Sequence, residues 1–195
     1  MSFTKKTNWT GVNVQRTLDN YSYINFLSLI SQLNDIDDNK PLDKNYYYLS
    51  TAGHGIDMYF IDDGIIVHPN YYDTYKNTKD ERTITCDAIS YENEIRDTKE
   101  DEKLSCVHDK YDYPDHGISV SSTGAGSLLG VVKKANIHMI ATDFSSISAL
   151  RNIDYVIRNA KPYKIVFSIS FCSLGENCKS CDDKLSMLEL LFLFL

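Results

Sequence analysis

A three-layer α/β fold, with a mostly parallel sheet and helices on both faces, is what this sequence predicts, and two observations carry the expectation. After His116 the chain alternates helix-like and strand-like segments, an order that favours parallel strands joined by right-handed crossovers. Its strand candidates are short apolar runs closed by turn residues, the pattern of strands buried on both faces.

Taken in order, Leu18 to Leu33 reads as a helix, followed by a polar loop from Asn34 to Asp43. Ile56 to Ile61 is an apolar run closed by Asp62-Asp63-Gly64, hence a buried strand ending in a turn. Thr83 to Cys86 is a second strand. Residues 88–115, polar, acidic and interrupted by Pro114, read as a long loop or insertion. His116 to about Gly124 is helical and Asn136 to Ala141 a strand. Ile147, Leu150, Ile153 and Ile157 recur at helical spacing, with Ser145 or Ser146 as cap and Pro162 after the end. Lys164 to Ser170 returns as a strand. Gly124 to Gly130 lacks the spacing of a phosphate loop and reads as a helix end. The division expected is an N-terminal extension over residues 1–45 and one α/β domain over 46–195.

Composition narrows the function classes. At 195 residues, 43% apolar and 24% charged, the chain fits one globular domain. A net charge of −7, with acids gathered at Asp35 to Asp38 and Glu92 to Glu102, argues against nucleic acid as a partner. The apolar stretch Leu188 to Leu195 is too short for a bilayer span of about 20 residues, so no membrane partner is expected. Met1 to Thr7 is basic without a following apolar run, so no secretory leader is read there and the compartment stays open.

Five cysteines, Cys86, Cys106, Cys172, Cys178 and Cys181, leave at least one without an intrachain partner. Cys178 and Cys181 lack the second ligand pair that zinc needs. If oxidised, Cys86 and Cys106 would bracket the acidic loop; free thiols are the other reading. No cofactor is expected, and calcium at the acidic 92–102 stretch would need a dedicated oxygen cage. His54, His68, His108 and His138 have no metal-ligand spacing and read as surface or core residues.

The chemistry-bearing residues are Asp62, His116 and Ser170. Asp62 and Ser170 end strands and His116 opens a helix, which places all three on the carboxyl edge of a parallel sheet, where ligands bind. An acid that orients an imidazole is the general-base half of a nucleophilic hydrolase, and the order Asp before His is that of the subtilisin type.

The run Tyr46 to Ile65, continued by His68-Pro69, resembles the segment around the catalytic aspartate of subtilisin-like serine proteases of the fungal proteinase K type. Asp115-His116-Gly117 is similar to that family's catalytic histidine block, and Gly130 to Ile137 to the approach to its next strand. Val166 to Ser170 resembles its strand ending in a cleft serine, with a weaker echo at Asn8 to Gly11. The resemblance covers about residues 46 to 172. It implies Asp62 as triad acid, His116 as general base, and Ser170 as a substrate-cleft residue beside an extended peptide or protein substrate.

The sequence also departs from the family. Asp63 stands where Thr or Ser is usual, and a second carboxylate there is expected to alter the electrostatics around His116. Ile118 and Ser119 replace the Thr and His that follow the catalytic His-Gly, leaving the packing of that helix open. The family's nucleophile and oxyanion asparagine come later than Leu195, so the chain is expected to be truncated before the nucleophile segment and inactive alone. Cys172 has no base in its neighbourhood to serve instead. General-base help alone contributes about 10²–10⁴, short of the 10⁶ or more typical of enzymes. The alternative is a non-catalytic relative that binds peptide or protein. The family is usually secreted.

Overall fold

The computed structural model describes residues 11–16, 25–32 and 43–170. Two compact units divide the chain, residues 1–52 and 53–195. The strand that begins at Asn45 pairs within the first unit.

In the first unit, β1 (Val12–Arg16) and β2 (Asn45–Leu49) form an antiparallel ribbon, Val12 opposite Leu49 and Arg16 opposite Asn45. Tyr46 and Tyr48, two apart and so on one strand face, stack with ring centroids 5.1 Å apart. Helix α1 (Asn25–Gln32) falls inside the helix read from sequence; the other residues of that reading lie outside the described ones. Gln32 donates to the Asn45 carbonyl at 2.7 Å and the Tyr47 amide donates to Ser31 Oγ at 3.2 Å, tying α1 to β2.

The second unit is an α/β fold. Its strands β3 (Asp57–Asp62), β5 (Ile84–Ser90), β6 (Ile95–Asp97), β8 (Asn136–Thr142) and β9 (Ile165–Ile169) form one sheet in the order β6-β5-β8-β3-β9. Every pairing is parallel except β5 with β6. Alternate residues of β3 feed different faces: Met58 and Phe60 join one apolar cluster, Tyr59 and Ile61 the other. Helix α2 (Asp115–Ala125) contributes Val120 and Ala125 to the first, and helix α3 (Ser146–Asn159) contributes Ile153 and Val156 to the second. Ser145 caps α3, accepting from the Ser148 amide at 3.1 Å.

Two readings change, and one left open is decided. The stretch 88–115 is not a plain loop: it holds the end of β5, then β6, then β7 (Ser105–Val107), which pairs antiparallel with β4 (Gly64–Ile66). Polar side chains hid these short strands; Arg96, for example, is paired with Glu102 at 2.7 Å. The apolar stripe read on α3 is largely outside the core, with Ile147, Leu150 and Ile157 exposed. The helix instead rests on the sheet through Ser148, Asn152 and Val156, one turn apart. Finally, Cys86 and Cys106 are joined as a disulfide, binding the β4-β7 ribbon to β5. Cys172, Cys178, Cys181 and the tail Leu188 to Leu195 lie outside the described residues.

Candidate active site

Asp62 is the last residue of β3 and is almost wholly buried, at 1% exposure. The chain then turns at Gly64, whose φ of +144° and close approach to the Cys106 carbonyl exclude a side chain. That turn aims Asp62 at the start of α2. His116 Nδ1 lies 2.7 Å from Asp62 Oδ1, which also accepts the Asp63 amide at 2.8 Å. Residues 54 apart in sequence thus meet at one point of the fold.

Burial pushes the Asp62 carboxyl above its ordinary value, and the His116 bond and the Asp63 amide act against that push. Its second oxygen, Oδ2, has no partner among the described protein groups. The His116 side chain is half exposed, at 51%. An ionised carboxylate on Nδ1 fixes the proton there and leaves Nε2 as the basic nitrogen. An imidazole held in this way can take a proton from, or attack, a group arriving from solvent.

Ser170 follows β9 directly and is half-buried. Because Ile61 pairs with Ile169 in the β3-β9 ladder, Asp62 and Ser170 leave the sheet at the same level on neighbouring strands. The three residues therefore share one edge, although contact joins only Asp62 and His116.

Sequence reasoning missed two further features of this edge. Phe144, just past β8, holds a left-handed backbone with φ of 61° and meets the His116 ring edge-on at 6.3 Å between centroids. Tyr111 lies 5.6 Å from Phe144, so aromatic rings form one wall beside the imidazole. A bulky residue at positive φ is uncommon and clusters at functional sites, but nothing local in the sequence signals it. Beside it Asp143 is held at about 2: burial acts upward, and the Ser145 amide, the Ser148 and Ser145 hydroxyls and Lys110 outweigh it.

The second missed feature is the place of Asp63. Its Oδ1 accepts the Gly117 amide at 2.7 Å and its Oδ2 the His116 amide at 3.3 Å. The doublet Asp62-Asp63 was visible in the sequence, but the partners of its second member were not.

Other features stand apart from this edge. A cavity of about 660 Å³ lies near the amino end of β5, lined among others by Thr85, Asp87, Asp97 and Tyr155. His138 is a partly buried residue with partners, 2.8 Å from Asp87 and stacked on Tyr59. Among the described residues no His, Cys, Asp or Glu cluster of three or more could hold a metal ion. No described helix is long and apolar enough to cross a membrane.

The fold and this edge define an α/β protein with an Asp-His pair at the carboxyl end of a mostly parallel sheet. No family model and no curated protein matches the chain. Among solved structures it is similar to one described as the crystal structure of a cold adapted subtilisin-like serine proteinase, at 22% identity and a TM-score of 0.43. That match covers 76% of this chain and 45% of the other, so the chain spans less than half of that protein's length.

Proposed function

We propose that this chain carries the acid and the general base of a subtilisin-like serine endopeptidase of the proteinase K type. The observation that carries the reading is the 2.7 Å contact between Asp62 Oδ1 and His116 Nδ1. Asp62 holds the tautomer, His116 Nε2 is the base, and Ser170 lines the cleft where an extended peptide or protein substrate would lie beside β9. No residue of this sequence is assigned as nucleophile or oxyanion donor, and the chain by itself is proposed to cleave peptide bonds little or not at all. A second reading, a non-catalytic module that keeps the peptide cleft, draws on the same missing assignment.

A peptidyl chloromethyl ketone tests the shared part of both readings. Its peptide would seat in the cleft, and Nε2 of an oriented histidine would displace chloride from the methylene carbon to form a stable N–C bond. Mass spectrometry is expected to find His116 alkylated ahead of the other histidines, with competition by unreactive peptide. Equal labelling of His116, His54 and His68 would remove the proposal. Hydrolysis of a peptide substrate by the chain alone would overturn the claim of inactivity and favour the enzyme over the binding module.

A further inference from the structure

Helix α2 begins without a cap of its own. Pro114 occupies the N-cap position and makes no side-chain hydrogen bond to the first turn, although the amides of that turn need acceptors. Two of them, those of His116 and Gly117, point at one carboxylate from 53 and 54 residues away, Asp63. Asp63 is 5% exposed, so these bonds lie largely shielded from water. A carboxylate against the positive end of a helix is stabilised by the oriented amides, which offsets the cost of its burial. The approach is close enough that a Cβ on residue 117 would overlap the Gly64 carbonyl and crowd Asp63 Oδ1, so only glycine fits there.

The consequence concerns His116. Consecutive residues hold its two ends: Asp62 takes the ring nitrogen and Asp63 the backbone nitrogen. Rotation or fraying of the first turn of α2 would carry the ring away from Asp62. Both Asp63 oxygens are occupied by these amides and the side chain is buried, which leaves it poorly placed to touch a substrate.

We infer that Asp63 is a positioning residue, a cap supplied across the fold that sets the orientation of the His116 imidazole toward Asp62. This rests on the Asp62-His116 reading above and adds the element on which that orientation depends. It also adds to the expectation from sequence: besides acting by its charge on the Asp62 carboxyl, the second carboxylate accepts backbone amides of the helix.

NMR of the whole chain tests it through amide hydrogen exchange at His116 and Gly117 and the downfield Nδ1 proton signal of His116. Asp63→Ala is expected to speed exchange at both amides by about tenfold or more, and to shift or broaden away the Nδ1 signal. Asp63→Asn, nearly isosteric and with one acceptor oxygen left, should retain part of the protection at Gly117. It also provides the comparison if Asp63→Ala fails to fold. Native protection and a native Nδ1 signal in folded Asp63→Asn would overturn the inference. Lost protection with an unchanged Nδ1 signal would reduce Asp63 to a helix cap and overturn the positioning role. If the native chain lacks the Nδ1 signal while both amides are protected, the Asp62-His116 reading fails; the cap then stands or falls on the exchange data alone.

Discussion

Replacing Asp62 by Asn should move reactivity and stability in opposite directions. The carboxylate is 1% exposed and accepts from His116 Nδ1 at 2.7 Å and from the Asp63 amide at 2.8 Å. Asn keeps the shape but loses the charge that holds the ring tautomer. One charge-assisted hydrogen bond contributes about 1.5–3 kcal/mol, so alkylation of His116 by the peptidyl chloromethyl ketone should slow by about 10- to 100-fold. Stability should respond with the other sign. Burial holds the Asp62 carboxyl above the ordinary 3.8, so the folded chain binds this proton more tightly than the unfolded chain. The resulting destabilisation is absent below the unfolded value and complete above the folded one. Relative to native, Asp62→Asn should therefore gain stability as pH rises from about 3 toward 7, measured as the difference in urea midpoint. An unchanged alkylation rate in a folded variant would refute the role of Asp62 as orienting acid. A stability difference that is flat with pH would refute its strained burial.

Further perturbations test the fold that carries the site. Phe60 is 1% exposed in the apolar cluster beneath α2, so Phe60→Ala should cost about 3–5 kcal/mol in urea unfolding. Leu150, 71% exposed on α3, should tolerate Ala within about 0.5 kcal/mol despite lying on the apolar stripe. Equal costs at the two sites would mean that α3 sits with the opposite rotation. The Cys86-Cys106 disulfide closes a separation of 20 residues, and replacing both by Ala should cost about 3 kcal/mol by loop entropy; an unchanged melting temperature under reductant would contradict it. Lys133 is buried and its ammonium lowered to about 8 by desolvation and by Arg82. Its charged form is penalised by folding below that value, so native stability relative to Lys133→Met should rise between about pH 8 and 10.5. A constant difference across that range would dismiss the shift.

Much of the second unit was legible because its signals are local. Apolar runs at Ile56 to Ile61, Asn136 to Ala141 and Lys164 to Ser170 match β3, β8 and β9, since a strand buried on both faces must be apolar throughout. Helix α2 was legible to within one residue at each end, read from His116 to about Gly124 and found over Asp115–Ala125, and the replacements Ile118 and Ser119 are carried within it without interruption. Short strands such as β6 and β7 were not, because three residues carry too little pattern to separate from a polar loop. Nor was the rotation of α3: periodicity identifies a helix, while the face that packs is chosen by the sheet beneath it, here at Ser148, Asn152 and Val156.

By itself, the sequence determined the residue types at the site and the strand and helix ends that bear them: a carboxylate before a glycine turn, an imidazole at a helix start, and a serine after a strand. Only the tertiary structure decided that Asp62 and His116 touch, that Phe144 and Tyr111 wall the imidazole, and that Asp63 reaches the amides of α2. The reason is physical. Secondary structure follows from neighbours in the chain, whereas a 2.7 Å bond between residues 54 apart depends on the register of parallel strands and on how closely a helix can approach a turn.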